Sequence, residues 1–190
     1  MNFTTVPILE GTTILLRPVE PEKDDKQWYT IMKDPKMHDR TGNTVPINAN
    51  EMKKLLETYK DLEEIITWSV ILKKSEEMIG TYWITIPTED ENNHLAIASE
   101  AQRIARAFWR KGINREARTL IYNYVFSTLK VEEIRAQAWE NNINSCRSME
   151  KIGFRLEKQI KRLFAKYNDI FIENHYVLYK EDWLRKKAFY

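Results

Sequence analysis

The sequence is poor in several residue types, and each shortage removes a class of protein. Its 190 residues contain one cysteine, Cys146. A lone cysteine excludes an intrachain disulfide and a thiolate metal cluster. The three histidines, His38, His94 and His175, are scattered, which speaks against a histidine-rich metal centre. Five glycines and six prolines are too few for a disordered or low-complexity chain. Neither charge sign dominates: 30 Lys and Arg stand against 28 Asp and Glu, a net +2, which does not argue for nucleic acid. No apolar run reaches the length of a membrane-crossing helix. The opening MNFTTVPILEG has no basic stretch followed by an apolar one, so no secretory signal is read there and a reducing cytoplasm is expected. What remains is a globular balance of 43% apolar and 31% charged residues, enough for one domain over 1–190 with a real core.

The pattern along the chain alternates strands and helices. Thr12 to Val19 reads as a strand after a turn at Glu10-Gly11. Asp24 to Lys33 reads as a helix stopped by Asp34-Pro35, and Asn50 to Leu62 as a second helix that Asn48 or Asn50 can cap. This helical pair is either a lid over a binding site or a packing layer. Ile65 to Leu72 and Met78 to Ile86 form a hairpin, with Gly80 marking a bulge or a close approach. His94 to Ala105 mixes strand and helix formers and reads as a strand breaking down before Phe108. A helix from about Ile113 to Leu129 follows, then a strand Ile134 to Trp139, a helix Asn141 to Ile152 ended by Gly153, and a strand pair, Phe154 to Phe164 and Ile170 to Leu178. A charged tail closes the chain, with Trp183 as an anchor. One mixed sheet covered by helices accounts for that order.

The chemistry concentrates at Trp109 to Phe126, WRKGINREARTLIYNYVF, where a short basic segment opens onto a strongly periodic helix. Ile113, Ala117, Leu120, Ile121, Tyr124 and Val125 share one face, with Arg115, Glu116, Arg118 and Asn123 mostly off it. A helix start leaves backbone N–H groups without intrahelical partners, and its dipole favours an anion. Arg110 and Lys111 add positive charge, and Gly112 lets the backbone approach a ligand. Physics alone leaves two readings open: an ordinary loop before an amphipathic helix, or a diphosphate cradle.

WRKGINREA, followed by ENNINSCRSMEKIGF, is similar to the acetyl-CoA-binding core of the GCN5-related N-acetyltransferase (GNAT) superfamily, and resembles its RimJ/RimL-like branch most. LEGTTILLRPVEP looks like that family's first strand, IGTYWI like its third, and EDW like its tail. The resemblance implies an α+β fold: a mixed, mostly antiparallel central sheet flanked by helices, with the family's strands four and five splayed around the pantetheine arm. It implies acetyl-CoA as co-substrate, no metal, a primary amine as acceptor (a protein N-terminus or a small molecule), no nucleic-acid or membrane partner, and a monomer or homodimer.

Carried over, the resemblance makes Trp109, Arg110, Lys111, Gly112, Ile113 and Asn114 the diphosphate loop. Arg110 stands where the family commonly has glycine. Arg103 and Ile104 would offer backbone groups to the pantetheine arm, although the proline usual nearby is Arg106. Asn142 matches a cofactor-contacting asparagine; its structural alternative is a helix cap. Ser145 matches a serine that would bond the leaving thiolate, and a surface serine is its bland counterpart. Met149 occupies the position of a tyrosine acid found in other members. Cys146 has no sequence-near histidine to activate it and reads as a small buried residue. For the base, Glu100 is the first candidate, with His94 and Glu140 behind it, because Ala98 replaces the usual acid. Asp39 is a candidate for facing the acceptor, and Trp28, Trp68 and Trp83 either line its pocket or belong to the core. Two other readings compete with an enzyme: a noncatalytic acyl-CoA-binding module, and nucleic-acid binding through the Lys158 to Lys166 patch.

Overall fold

The structure, a computed structural model, describes residues 6–85, 87–89 and 96–187. His94 therefore lies outside the described residues, as does part of the turn read over Pro87 to Asn93. The chain forms two compact units, residues 1–86 with 101–123 and residues 87–100 with 124–190.

In the first unit the short strand β1 (Leu9–Glu10) turns into β2 (Ile14–Pro18), which pairs antiparallel with β3 (Ile65–Leu72), and β3 pairs with β4 (Glu77–Thr85). Between β2 and β3 lie α1 (Pro21–Met32), a short 3-10 turn (Pro35–Met37) and α2 (Ala49–Asp61). Pro21 sits at the start of α1, where the absent N–H costs nothing. Asn48 caps α2 by accepting the Glu51 N–H at 3.0 Å, which decides between the two capping candidates. Trp28, Ile31 and Met32 of α1 and Met52 and Leu56 of α2 bury themselves together with Val19, Ile71 and Met78. Trp28 and Trp68 are 1% and 0% exposed, so both are core residues and not the lining of an acceptor pocket. Arg17 holds the buried Asp24 with bonds of 2.5 and 2.9 Å, and the Ser69 hydroxyl adds a third at 2.6 Å, tying β2, α1 and β3 together.

Of the segment with mixed strand and helix formers, residues 96–104 form a strand, which ends before Phe108 as expected. β6 (Ala96–Ile104) follows the two-residue β5 (Thr88–Glu89), and its residues 101–104 belong to the first unit, beside β4. Gly80 serves both of its expected purposes. The β3–β4 register shifts between Val70 and Ile71, leaving a bulge at Ile79, and a Cβ on Gly80 would collide with the Arg103 carbonyl oxygen. The Ala105 N–H then bonds the Ile79 carbonyl at 2.8 Å, seating the end of β6 at that bulge.

In the second unit β6 pairs in parallel with β7 (Glu133–Trp139), β7 pairs antiparallel with β9 (Asp169–Tyr179), and β9 pairs with the outer β8 (Arg155–Phe164). The parallel register covers Ile97–Glu133, Ala98–Ile134 and Ser99–Arg135, and no further ladder joins β6 to β7 among the described residues. That early end is the expected splay. The connection between these parallel strands is α3 (Ile113–Ser127), as a crossover requires. α4 (Ile143–Ile152) ends at Gly153, whose φ of +117° is the left-handed conformation that suits glycine. The charged tail forms α5 (Lys180–Lys187), anchored by Trp183 at 6% exposure.

Candidate functional site

The site is built at the end of β6, within the first unit. After Ile104 the chain makes a 3-10 turn (Arg106–Phe108), closed by Phe108 N–H to Ala105 carbonyl at 2.9 Å. The Trp109 indole N–H reaches back to the Ile104 carbonyl at 2.6 Å, so this half-exposed tryptophan braces the turn against the strand. Arg106, in place of the usual proline, pairs with Asp34 at 2.8 Å and ties the loop to the segment after α1.

The loop then takes an unusual backbone path. Arg110 has φ +61° and Gly112 has φ +83°, with Lys111 between them outside that region. Alternation of this kind curls successive N–H groups towards one side, making a concavity that favours anions. A left-handed non-glycine residue costs roughly 1–2 kcal/mol, so Arg110 carries strain that glycine would not. This explains physically why glycine is common at that position of the family loop. Arg110 stands there with a left-handed φ and an added charge. A Cβ on Gly112 would meet nothing within 4 Å, so conformation rather than crowding demands glycine, and the space beside it is open to a ligand. Lys111 holds its ammonium 5.6 Å from the centre of the Phe108 ring. From Ile113 the helix begins, and its first turn presents backbone N–H groups and the positive end of the dipole to the same loop. A diphosphate fits this donor set: curled amides, a helix start, two cationic side chains and no Cβ in the way.

Two features of the helix start escaped the sequence reading. Glu116, read as lying off the apolar face, accepts the Thr13 N–H at 2.7 Å and the Ile14 N–H at 3.3 Å, and packs against Gly11. It clamps the β1–β2 turn to α3 and so fixes where the helix begins. The only sequence signal was a carboxylate in the first helical turn. Arg118, also read as off-face, is 2% exposed. Helical periodicity places residues on a face but says nothing of how far the protein closes around its edges.

The comparisons with known proteins bear on this arrangement. The family model for the acetyltransferase (GNAT) domain matches residues 13–155, which span β2 to the end of α4. The chain belongs to the GNAT acetyltransferase family. "Uncharacterized N-acetyltransferase YnaD" of Bacillus subtilis is 34% identical over 76 residues, 40% of this chain and 45% of that protein, so the chain matches less than half the length of that relative. "Probable N-acetyltransferase YjcK" of the same organism is 26% identical over 185 residues, 90% of this chain and 95% of its own. Among solved structures, spermidine N-acetyltransferase from Vibrio cholerae, in complex with CoA and spermine, superposes with a TM-score of 0.75 at 15% identity, covering 92% of this chain and 99% of its own. That likeness confirms the GNAT fold.

The remaining GNAT candidates lie mostly in the second unit. Asn142 stands at the N-cap position of α4, yet its side chain makes no capping bond. The amide is therefore not consumed by the cap alternative. Ser145 is half-buried in the first turn of α4. Glu100 is buried on β6 at 9% exposure, and Glu140 is exposed after β7. Asp39, in the first unit, pairs with Lys36 at 3.2 Å on the surface. Cys146 is buried, as expected, and takes part in a cluster that fixes α4 on β9: the Asn174 amide donates to its sulfur at 3.6 Å, and the Tyr176 hydroxyl donates to Glu150 at 3.1 Å. Burial, then Cys146 and Glu150, push the Tyr176 pKa upward against the opposing Asn174 bond, so Tyr176 stays neutral. Among the described residues no cluster of three or more His, Cys, Asp or Glu is placed to hold a metal ion. No helix among them is long and apolar enough to cross a membrane.

Proposed function

We propose that this GNAT acetyltransferase moves an acetyl group from acetyl-CoA to a primary amine, either a protein N-terminus or a small molecule, as a cytoplasmic enzyme of the RimJ/RimL-like kind. Residues 1–190 act as one acetyltransferase domain. The observation that carries the reading is the left-handed pair Arg110 and Gly112 at the mouth of α3. In this reading the amides of residues 110 to 114 hold the diphosphate, and the side chains of Arg110 and Lys111 neutralise it. Arg103 and Ile104 line the pantetheine arm, and the Ile104 carbonyl already accepts the Trp109 indole N–H. That leaves backbone N–H groups near the strand end as the donors for the arm and for the developing oxyanion.

Transfer is direct. The amine lone pair attacks the thioester carbonyl carbon, the C–N bond forms, the C–S bond breaks, the amine gives up a proton, and CoA leaves as the thiol. Holding the two reactants together supplies much of the rate enhancement. Glu100 is the group proposed to take the amine proton, directly or through water, and Ser145 the hydroxyl proposed to hydrogen-bond the departing sulfur. Asn142, its amide free of capping duty, is proposed to contact the cofactor arm.

Calorimetric titration with CoA, followed by thiol-release assays of acetyl-CoA against peptide and small-amine libraries, tests this. Saturable CoA binding with amine-dependent thiol release supports the enzyme. Binding without turnover across the panels favours a noncatalytic acyl-CoA-binding protein, and no affinity for CoA removes both.

A further inference from the structure

The end of β6 carries a charge that no carboxylate among the described residues balances. Arg103 is partly buried, and its Nε is sealed from solvent with no hydrogen-bond partner. Its Nη1 donates to the Gln102 carbonyl at 2.9 Å, and no carboxylate pairs with it among the described residues. By contrast Arg17 pairs with Asp24, Arg106 with Asp34 and Arg155 with Asp182. Burial lowers the pKa of the Arg103 guanidinium, the direction expected of a charge taken from water without a counter-ion, and its electrostatic neighbour is Tyr59 of α2. Burial raises the Tyr59 pKa in turn, so its hydroxyl remains a neutral donor. Tyr59 and Ala105, two residues beyond Arg103, both pack at the margin of the core cluster under α1 and α2, which places this pair where the loop leaves the strand.

A guanidinium kept in the chain without an internal acid is costly, and a ligand anion removes that cost. The planar fork of arginine matches a carboxylate with two parallel bonds, and a tyrosine hydroxyl adds a third donor. The diphosphate already has its own donors in the curled amides and the start of α3. We infer that Arg103 and the Tyr59 hydroxyl form a subsite for a carboxylate carried by the acceptor, so that the substrate is an amino acid or another amine with an anionic group, and not a polyamine. The inference rests on the acetyltransferase reading above and deepens it.

Two measurements keep the fates of the two readings apart. In thiol-release assays, the wild-type protein should favour a carboxylated amine, such as β-alanine or a glutamate derivative, over a matched amine without the carboxylate by at least about tenfold in kcat/KM, and disfavour spermidine. Arg103→Gln should collapse that ratio towards one, Arg103→Lys should restore part of it, and Tyr59→Phe, a smaller change made in case the arginine variants fold poorly, should reduce it several-fold. Independently of turnover, calorimetry with N-acetylglutamate, with and without CoA, should detect binding to the wild type that Arg103→Gln loses. A wild-type ratio near one, a preference for spermidine, an unchanged ratio in the variants, or equal N-acetylglutamate binding overturns the subsite. So does an Arg103→Gln defect confined to CoA and absent with dephospho-CoA, which would assign the arginine to a cofactor phosphate. If CoA binding and turnover both fail, the acetyltransferase reading falls; N-acetylglutamate binding that depends on Arg103 would still uphold the subsite, and its absence would remove that as well.

Discussion

At the scale of single residues, the loop before α3 is governed by backbone conformation. Gly112 adopts φ +83° with open space around it. Gly112→Ala should therefore cost about 1–2 kcal/mol of stability through conformation alone. CoA affinity should fall by a further tenfold or more, read by calorimetry. Arg110→Gly removes a strained left-handed side chain and adds unfolded-state freedom, effects of opposite sign and similar size, so the midpoint of thermal unfolding should move little. The charge lost should instead appear as weaker and less salt-dependent CoA binding. Glu116 offers a contrasting case, because its carboxylate satisfies two strand amides far away in sequence. Glu116→Ala should destabilise the protein by roughly 1–3 kcal/mol in urea melts, since those amides lose a charged acceptor. Of these features, the sequence showed a basic loop with a glycine. It did not show that Arg110 shares the glycine's conformation or that Glu116 reaches back to the first hairpin, because both follow from the meeting of distant segments.

At the scale of elements, the two asparagine-headed helices separate structural from functional duty. Asn48 caps α2 by a bond to the Glu51 N–H. Asn48→Ala should lower stability by about 1 kcal/mol and leave CoA binding alone. Asn142 occupies the equivalent position in α4 without making the bond. Asn142→Ala should change stability by less than about 0.5 kcal/mol and still weaken CoA binding, the reverse pattern. Similar asparagine-rich starts in the sequence could not separate these cases, since both residue types and spacings suit a cap. The anchor of α1 is pH-sensitive. Burial alone would raise the pKa of Asp24, but the bonds from Arg17, Ser69 and the Glu20 N–H outweigh it and hold the carboxyl below its ordinary value. A depressed folded-state pKa gives stability that is present above the unfolded value near 4 and is lost as pH falls through the folded value. Asp24→Asn should thus cost about 3–5 kcal/mol at neutral pH and flatten the acid limb of the stability curve.

At the scale of the whole molecule, a ligand that binds only the folded chain must raise its melting temperature. If CoA is the ligand, a concentration a hundred times its Kd should add about 2.7 kcal/mol. For a chain of 190 residues that corresponds to a rise of roughly 5–10 °C in a thermal scan. A melting temperature indifferent to millimolar CoA would count against the whole functional reading. The β6–β7 register stops after Ser99–Arg135, where the resemblance puts the splay.

Local pattern determined much of this protein. The helical period from Ile113 onward, the hairpin of Ile65 to Leu72 with its neighbour, the stops at Gly153 and Asp34-Pro35, and the order of strands and helices all follow from the preferences of adjacent residues. Side-chain periodicity and turn chemistry act over a few residues, so a sequence displays them directly. For 96–104 the sequence mixes strand and helix formers; the strand read there is the one that forms, and pairing with β4 and β7 fixes its extent. Tertiary structure alone inserted β9 between β7 and β8, buried Arg118, and left Arg103 without an acid among the described residues. Those outcomes depend on which distant surfaces meet, and hydrophobic burial, being non-directional, writes no local mark of its partner into the chain.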